Sequence, residues 1–310
     1  MSTVRPVRRV DRLTAEQSTA VLALAAAAAE TDGTFPLSED TVLAVRASAD
    51  AAGEDAARVH LMSHAGDGLA GYAHLDRSDA GAPTGELVVH PRHRREGHGT
   101  ALLAAAAAAV APGATLSVWA HGDSAAARAF AEGAGFARAR VLWQMRRSLT
   151  EPLPDLPLPA GVTVRHFRPG FDDAGWLALN ARAFADHPEQ GRWTEADLRL
   201  RMAEPWFDPE GFLLAVDVGD ALQGFHWTKV HPAHGDVPRM GEIYVLGVDP
   251  GAHKRGLGAA LSVAGLQFLA LGGVQHAMLY VDESNSAAVA LYRRLGFTVF
   301  AADVGYQKIV

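Results

Sequence analysis

The sequence predicts an α/β chain made of two similar halves. Three observations carry this reading: strand-like and helix-like signals alternate along 310 residues, one strand, glycine-turn and helix passage occurs twice, and a proline-rich stretch separates the copies. At 49% hydrophobic residues the chain can bury two cores of ordinary size.

Taken in order, each half opens with a short strand and an amphipathic helix. The apolar run from Val21 to Ala29 comes after Arg8 and Arg9 in the manner of a signal peptide, but Asp11 and Glu16 intervene and polar residues succeed it, so a first helix is expected. In Leu37-Ser38-Glu39-Asp40, Ser38 reads as an N-cap with Glu39 in the first helical turn. The first copy of the repeat is GELVVHPRHRREGHGTALL from Gly85: strand Leu87-Val88-Val89, turn Arg94-Arg95-Glu96-Gly97-His98-Gly99, then a helix. A strand, a small-residue turn and a helix then run from Leu116 to Gly135-Phe136.

Alternating prolines from Glu151 to Pro159 exclude helix and favour an extended linker, which places one domain at 1–150, the linker at 151–160 and a second domain at 161–310. The second copy runs from Gly241-Glu242 through strand Ile243–Val248, Asp249-Pro250 and His253-Lys254-Arg255-Gly256-Leu257-Gly258-Ala259 into an apolar periodic helix from Leu261. Its last strand and helix carry Leu279-Tyr280-Val281-Asp282, Asn285-Ser286 and Leu291-Tyr292 before Gly296-Phe297.

Glycines before a helix let the backbone approach an anion, and the unpaired N–H groups of the first turn with the helix dipole favour pyrophosphate oxygens. The spacing fits neither a P-loop nor a G-x-G-x-x-G dinucleotide turn. It resembles the R/Q-x-x-G-x-G/A signature of the GNAT family of N-acetyltransferases, matched fully by Arg94 to Gly99 and with His253 in the Arg/Gln position of the second copy. The resemblance implies two tandem GNAT domains, each a twisted mixed β-sheet flanked by helices and splayed between two parallel strands where acetyl-coenzyme A lies. It implies cofactor contacts at Leu246, Gly247, Val248, His253, Lys254, Arg255, Gly256, Leu257, Gly258, Ala259 and Asn285. In the first half the corresponding contacts are Leu87, Val88, Val89, Arg94, Arg95, Glu96, Gly97, His98 and Gly99.

Acetyl transfer to an amine needs a base for the ammonium proton, donors to the thioester oxygen and an acid for the departing thiolate. Glu242 is the candidate base, a backbone N–H near Val248 the donor and Tyr292 the acid. Counted back from the Gly-Phe pairs, Asn285 aligns with Ser124 and Tyr292 with Ala131, so the first half lacks the acid. Its strand is also three residues shorter between the Gly-Glu pair and the proline, and Glu86 is not expected to act as a second base.

The stretches 184–191, 224–229 and 241–248 resemble those of a tandem-GNAT family of mycothiol-forming enzymes, over nearly the whole chain. That resemblance implies catalysis by the C-terminal half alone and a small-molecule acceptor, cysteinyl-glucosaminyl-inositol, contacted by Asp186, Lys229, Glu242 and Tyr280, with Glu39 reaching it from the first half. An acetyltransferase for another amine (aminoglycoside, polyamine or peptide) and a non-catalytic acyl-coenzyme A sensor are the alternatives.

Other classes are disfavoured. A net charge of −7 without a long basic run does not suggest nucleic acid, and no apolar run reaches the about 20 residues of a membrane span. No cysteine is present, so disulfides, a cysteine nucleophile and thiolate metal sites are excluded. Among the 14 histidines, His231-x-x-His234 near His226 and Asp236 is the tightest group, but zinc generally needs three or four convergent ligands and no metal is expected. A cytoplasmic monomer is expected.

Overall fold

The computed structural model describes residues 5–50, 57–185, 190–233, 235 and 237–310, with backbone alone for Ala49, Asp50 and His253 to Arg255. These residues form two compact units, Met1–Leu142 joined by Ala302–Val310, and Trp143–Ala301.

The first unit begins with β1 (Val7–Val10), α1 (Ala15–Asp32), α2 (Glu39–Asp50), β2 (Arg58–Ala65) and β3 (Gly68–Asp76). It continues through β4 (Thr84–Val89), α3 (His98–Ala108), β5 (Thr115–Ala120), α4 (Ala125–Gly133) and the start of β6 (Ala137–Ser148). The run that mimics a signal peptide is α1. Thr14 and Gln17 cap each other's backbone at its start and Gly33 closes it with φ 72°. Val21, Leu24, Ala25 and Ala28 form its buried stripe at helical spacing, packed on Met62, Tyr72 and Val88.

The second unit contains β7 (Val162–His166), α5 (Asp173–Ala183), α6 (Glu195–Met202), β8 (Phe212–Asp217), β9 (Leu222–His231) and β10 (Met240–Val248). It ends with α7 (Leu257–Leu271), β11 (His276–Asp282), α8 (Ser286–Arg294) and the start of β12 (Thr298–Ile309). One of its cores is aromatic, with Trp176, Phe212, Phe225 and Trp227 buried together and Phe212 stacked on Trp227 at 4.4 Å.

Each unit has a mixed sheet. In the first the order is β1-β2-β3-β4-β5-β12, antiparallel except for β4 with β5; in the second it is β6-β11-β10-β9-β8-β7, with β10 and β11 parallel. The parallel ladder of each pair stops early. It ends at Glu86↔Trp119 although β4 continues to Val89, and at Ile243↔Leu279 although β10 continues to Val248 and β11 to Asp282. The sheet is therefore splayed where the resemblance implies it.

The division of the chain departs from the sequence expectation of a boundary at 151–160. Residues 152–159 are free of helix and strand, as alternating proline requires. The compact units divide earlier, at 142/143, and the last nine residues belong to the first unit, where β12 pairs with β5 from Val304↔Ala120 to Ile309↔Thr115. An unpaired edge beside β5 would leave a row of open backbone donors and acceptors. The chain's own C-terminus fills it, a pairing across about 190 residues that local patterning does not encode.

Candidate active site

In the second unit three side chains converge on one face of the sheet. Lys229 and His231 are two residues apart on β9, so both project the same way, and Lys229 lies directly opposite Glu242 of β10. Glu242 is buried, and its Oε2 lies 2.6 Å from Nε2 of the partly exposed His231. The Lys229 ammonium rests against two aromatic faces, 4.5 Å from the Trp206 ring and 5.0 Å from Tyr244. The Tyr244 hydroxyl accepts from Arg201 Nε at 2.9 Å, and Arg201 in turn stacks on Trp193 at 3.7 Å.

A register shift between Ile243 and Val245 marks a bulge in β10 at Tyr244, two residues after Glu242. Such an extra residue bends the strand and re-aims the residues beyond it. It coincides with the end of the ladder to β11, so the β11-facing backbone of residues 244–248 leaves the sheet there. Leu246, Gly247 and Val248 lie on this stretch, held on their other side by Phe225 and Gly224 of β9 among others. Past it, the 3-10 turn Pro250–Arg255 leads into α7, where Gly256 has φ 73° and no side chain caps the first turn formed by Leu257, Gly258 and Ala259. Unpaired N–H groups at a helix N-terminus suit a phosphate or pyrophosphate. The residues present fit acetyl-coenzyme A: an opened strand for its arm and an uncapped helix start for its anion.

Asn285 caps α8, accepting from Ala288 N at 3.1 Å, and Ser124 caps α4 through Ala127 N at 3.1 Å. The two residues aligned in the sequence hold the same position in their helices. Tyr292 of α8 is buried beside Phe297, and burial pushes its hydroxyl up to about 12, so it is a protonated phenol at neutral pH. Tyr280 of β11 is half-exposed, and its hydroxyl accepts from Gln144 Nε2 at 2.8 Å. Asp186 lies outside the described residues. Glu39 stands in the first turn of α2, in the first unit.

Of the His226, His231 and His234 group, the two described histidines have partners within the protein. His226 is fully buried, its Nδ1 2.7 Å from the Leu261 carbonyl, and burial holds it down to about 4 as a neutral core imidazole. It fills the space that a side chain at Gly265 would take: an added Cβ there would lie 2.1 Å from the ring. His231 serves Glu242, while His234 and Asp236 lie outside the described residues. His231 was missed as a site residue because only the tertiary register brings it to the carboxylate; its i+2 spacing from Lys229 was the available signal.

The first unit keeps the scaffold and changes the chemistry. Leu87, Val88 and Val89 run past the ladder as Leu246 to Val248 do, and Gly97, with φ 90° and no side-chain cap, opens α3 ahead of His98 and Gly99. Arg94 makes a bidentate ion pair with Asp32 at 2.7 and 2.6 Å, and Arg95 adopts a left-handed φ of 65°. Glu86 is locked: its carboxylate accepts from Ser38 N at 2.8 Å and meets His121 Nε2 at 3.3 Å, while His121 Nδ1 lies 3.0 Å from Asp303. Burial would raise the Glu86 carboxyl, but the His121 hydrogen bond and charge and the Ser38 N–H bring it to about 2. Ala131 stands where α8 has Tyr292 and offers no proton.

This architecture, a mixed sheet splayed between two parallel strands with an uncapped helix start after the first of them, present twice, defines a tandem acetyltransferase of the GNAT class. Residues 176–297 match the family model described as Acetyltransferase (GNAT) family, and residues 55–138 match that of an Acetyltransferase (GNAT) domain. Among solved structures, a tandem GNAT protein from the clavulanic acid biosynthesis pathway superposes with a TM-score of 0.70 at 20% identity, covering 98% of each chain. A GCN5-related N-acetyltransferase from Sphaerobacter thermophilus gives 0.65 at 26% identity, covering 97% of this chain and 95% of that one. The mycothiol acetyltransferase of Salinispora arenicola is 58% identical over 97% of this chain and 96% of its own length, and that of Thermobispora bispora 54% identical over 97% and 99%. The chain belongs to the mycothiol acetyltransferase family of tandem GNAT enzymes.

Proposed function

We propose that the second unit transfers an acetyl group from acetyl-coenzyme A to the cysteine amine of cysteinyl-glucosaminyl-inositol, forming mycothiol. The observation that carries the chemistry is the buried Glu242 carboxylate, bonded to His231 and set at the point where β10 leaves β11. The acceptor is assigned from full-length identity of 50% or more to mycothiol acetyltransferases of several organisms.

Acetyl-coenzyme A, held by the backbone of 246–248, the turn from His253 to Ala259 and Asn285, supplies an activated acyl group. Glu242 takes the ammonium proton of the acceptor, directly or through one water, so that the amine becomes nucleophilic. His231, bonded to that carboxylate and partly exposed, carries the proton outward. Backbone N–H groups of the opened strand near Val248 donate to the acyl oxygen as charge grows on it. Tyr292 returns a proton to the departing thiolate, which its protonated state at neutral pH permits. Lys229 and Tyr280 hold the hydroxyl-rich acceptor, with Asp186 and Glu39 as the further contacts that the family resemblance supplies. The first unit, with Glu86 locked and Ala131 in place of the tyrosine, binds acetyl-coenzyme A without turning it over. We place the reaction in the cytoplasm with the enzyme as a monomer; no helix among the described residues is long and apolar enough to cross a membrane.

The test is coenzyme A release with cysteinyl-glucosaminyl-inositol beside an equimolar panel of polyamines, aminoglycosides and N-terminal peptides. Strong preference for the pseudodisaccharide is expected. Activity confined to the panel would move the acceptor, and cofactor binding without release on any acceptor would leave a sensor.

A further inference from the structure

We propose that the first unit holds a zinc ion between His93, Glu96 and His98, on the turn between β4 and α3. The inference is independent of the reaction assigned to the second unit.

Local structure brings the three together. The 3-10 turn Pro91–His93 ends on His93, the left-handed Arg95 reverses the chain, and His98 opens α3. One carboxylate oxygen, Glu96 Oε2, lies 3.5 Å from His93 Nδ1 and 3.7 Å from His98 Nε2, and the three ligand atoms are all within 4.8 Å of one another. Zinc bonds of about 2.0 to 2.1 Å in a tetrahedron separate neighbouring ligand atoms by roughly 3.4 Å, so the two histidine–carboxylate separations are already close to what the ion needs.

Two buried nitrogens point to an occupant. His93 Nδ1 and His98 Nε2 are both buried without a hydrogen-bond partner, and the His98 side chain has 0% exposure. Orphaned buried polar atoms are uncommon in folded proteins and cost about 1–3 kcal/mol each. The other His98 nitrogen is fixed: Nδ1 lies 2.7 Å from Ser63 Oγ, which turns Nε2 toward the carboxylate as the outer partner of a metal-bound histidine does. Two imidazoles and a carboxylate are a nitrogen and oxygen set suited to zinc, with a fourth position for water.

Arg5 is the competitor. Its Nη2 lies 3.4 Å from Glu96 Oε2 and its Nε donates to the Glu96 carbonyl at 3.1 Å. A guanidinium and a divalent cation drawing on one carboxylate oppose each other, which gives the proposal a signature that a simple loss of structure does not share.

The experiment strips the full-length protein with a chelator and titrates it with zinc against a chromophoric competitor, with bound metal counted by mass spectrometry. One zinc per chain is expected. His93→Ala, at a partly exposed turn position, and Glu96→Gln each weaken binding by about tenfold or more, as loss of a ligand should. Arg5→Ala tightens it several-fold, and His231→Ala leaves it unchanged. Absence of stoichiometric zinc, affinity indifferent to substitution at 93 and 96, or zinc lost on His231→Ala would each overturn the site.

Discussion

Glu86 and Glu242 stand directly after matching glycines, and both face a parallel strand near the end of its ladder, opposite Trp119 and Met278. Their surroundings differ. Glu86 faces a doubly paired imidazole and a backbone donor, whereas Glu242 is bonded to one partly exposed histidine. Tyr292→Phe removes the acid and should lower kcat by about 100-fold while leaving the acceptor KM nearly unchanged, because general acid catalysis typically contributes 10²–10⁴-fold; an unchanged kcat would remove Tyr292 from the mechanism. His231→Ala should also lower kcat and change the pH–rate profile, whereas a merely structural loss would lower activity without altering the profile's shape. In the first unit, burial alone would lower the His121 imidazole, but hydrogen bonds to Asp303 and Glu86 and their charges raise it from 6.5 to about 10. A raised value means that this stabilisation is complete below pH 6.5 and is lost as pH rises through about 10. Glu86, depressed from 4.5 to about 2, contributes above 4.5 and loses its part as pH falls through about 2. His121→Gln leaves two carboxylates without their cation and should cost about 3 kcal/mol at pH 7, with a smaller penalty at pH 10, read by denaturant unfolding.

At the scale of elements, the start of α7 and the end of β10 work together. The bulge after Glu242 ends the ladder to β11, and the left-handed Gly256 then turns the chain so that α7 begins without a side-chain cap. A β-branched residue is strained at φ 73° by about 1–2 kcal/mol. Gly256→Val should therefore raise the KM for acetyl-coenzyme A more than it lowers kcat, measured by saturation kinetics; a selective effect on the acceptor KM would dissociate this turn from the cofactor. The glycine turns and the helix starts were legible in the sequence because they rest on local conformation. The bulge at Tyr244 was not, since it is defined by which residue of β9 lies opposite, and neither was the pairing of His231 with Glu242.

For the molecule as a whole, the last strand decides where the first unit ends. Deleting residues 302–310 removes the strand paired to β5 and the Asp303 partner of His121 together. Amide exchange should then rise in β5 and the rest of the first unit, with α7 and β10 far less affected; equal protection in both units would show that this strand is dispensable. The sequence by itself determined the α/β class, the duplication and the two glycine turns ahead of helices, and it supplied Glu242 and Tyr292 as the candidate base and acid of the second half, with Ala131 at the matching position of the first. All of these depend on residue type and short spacing, through hydrophobic periodicity, glycine backbone freedom and side-chain chemistry. Tertiary structure alone decided that the C-terminal residues complete the first sheet, that Glu86 is locked while Glu242 is joined to His231, and that His93, Glu96 and His98 share one point in space. Those facts depend on strand register and on turns that reverse the chain, where free energy comes from pairing backbone and burying side chains between segments distant in sequence.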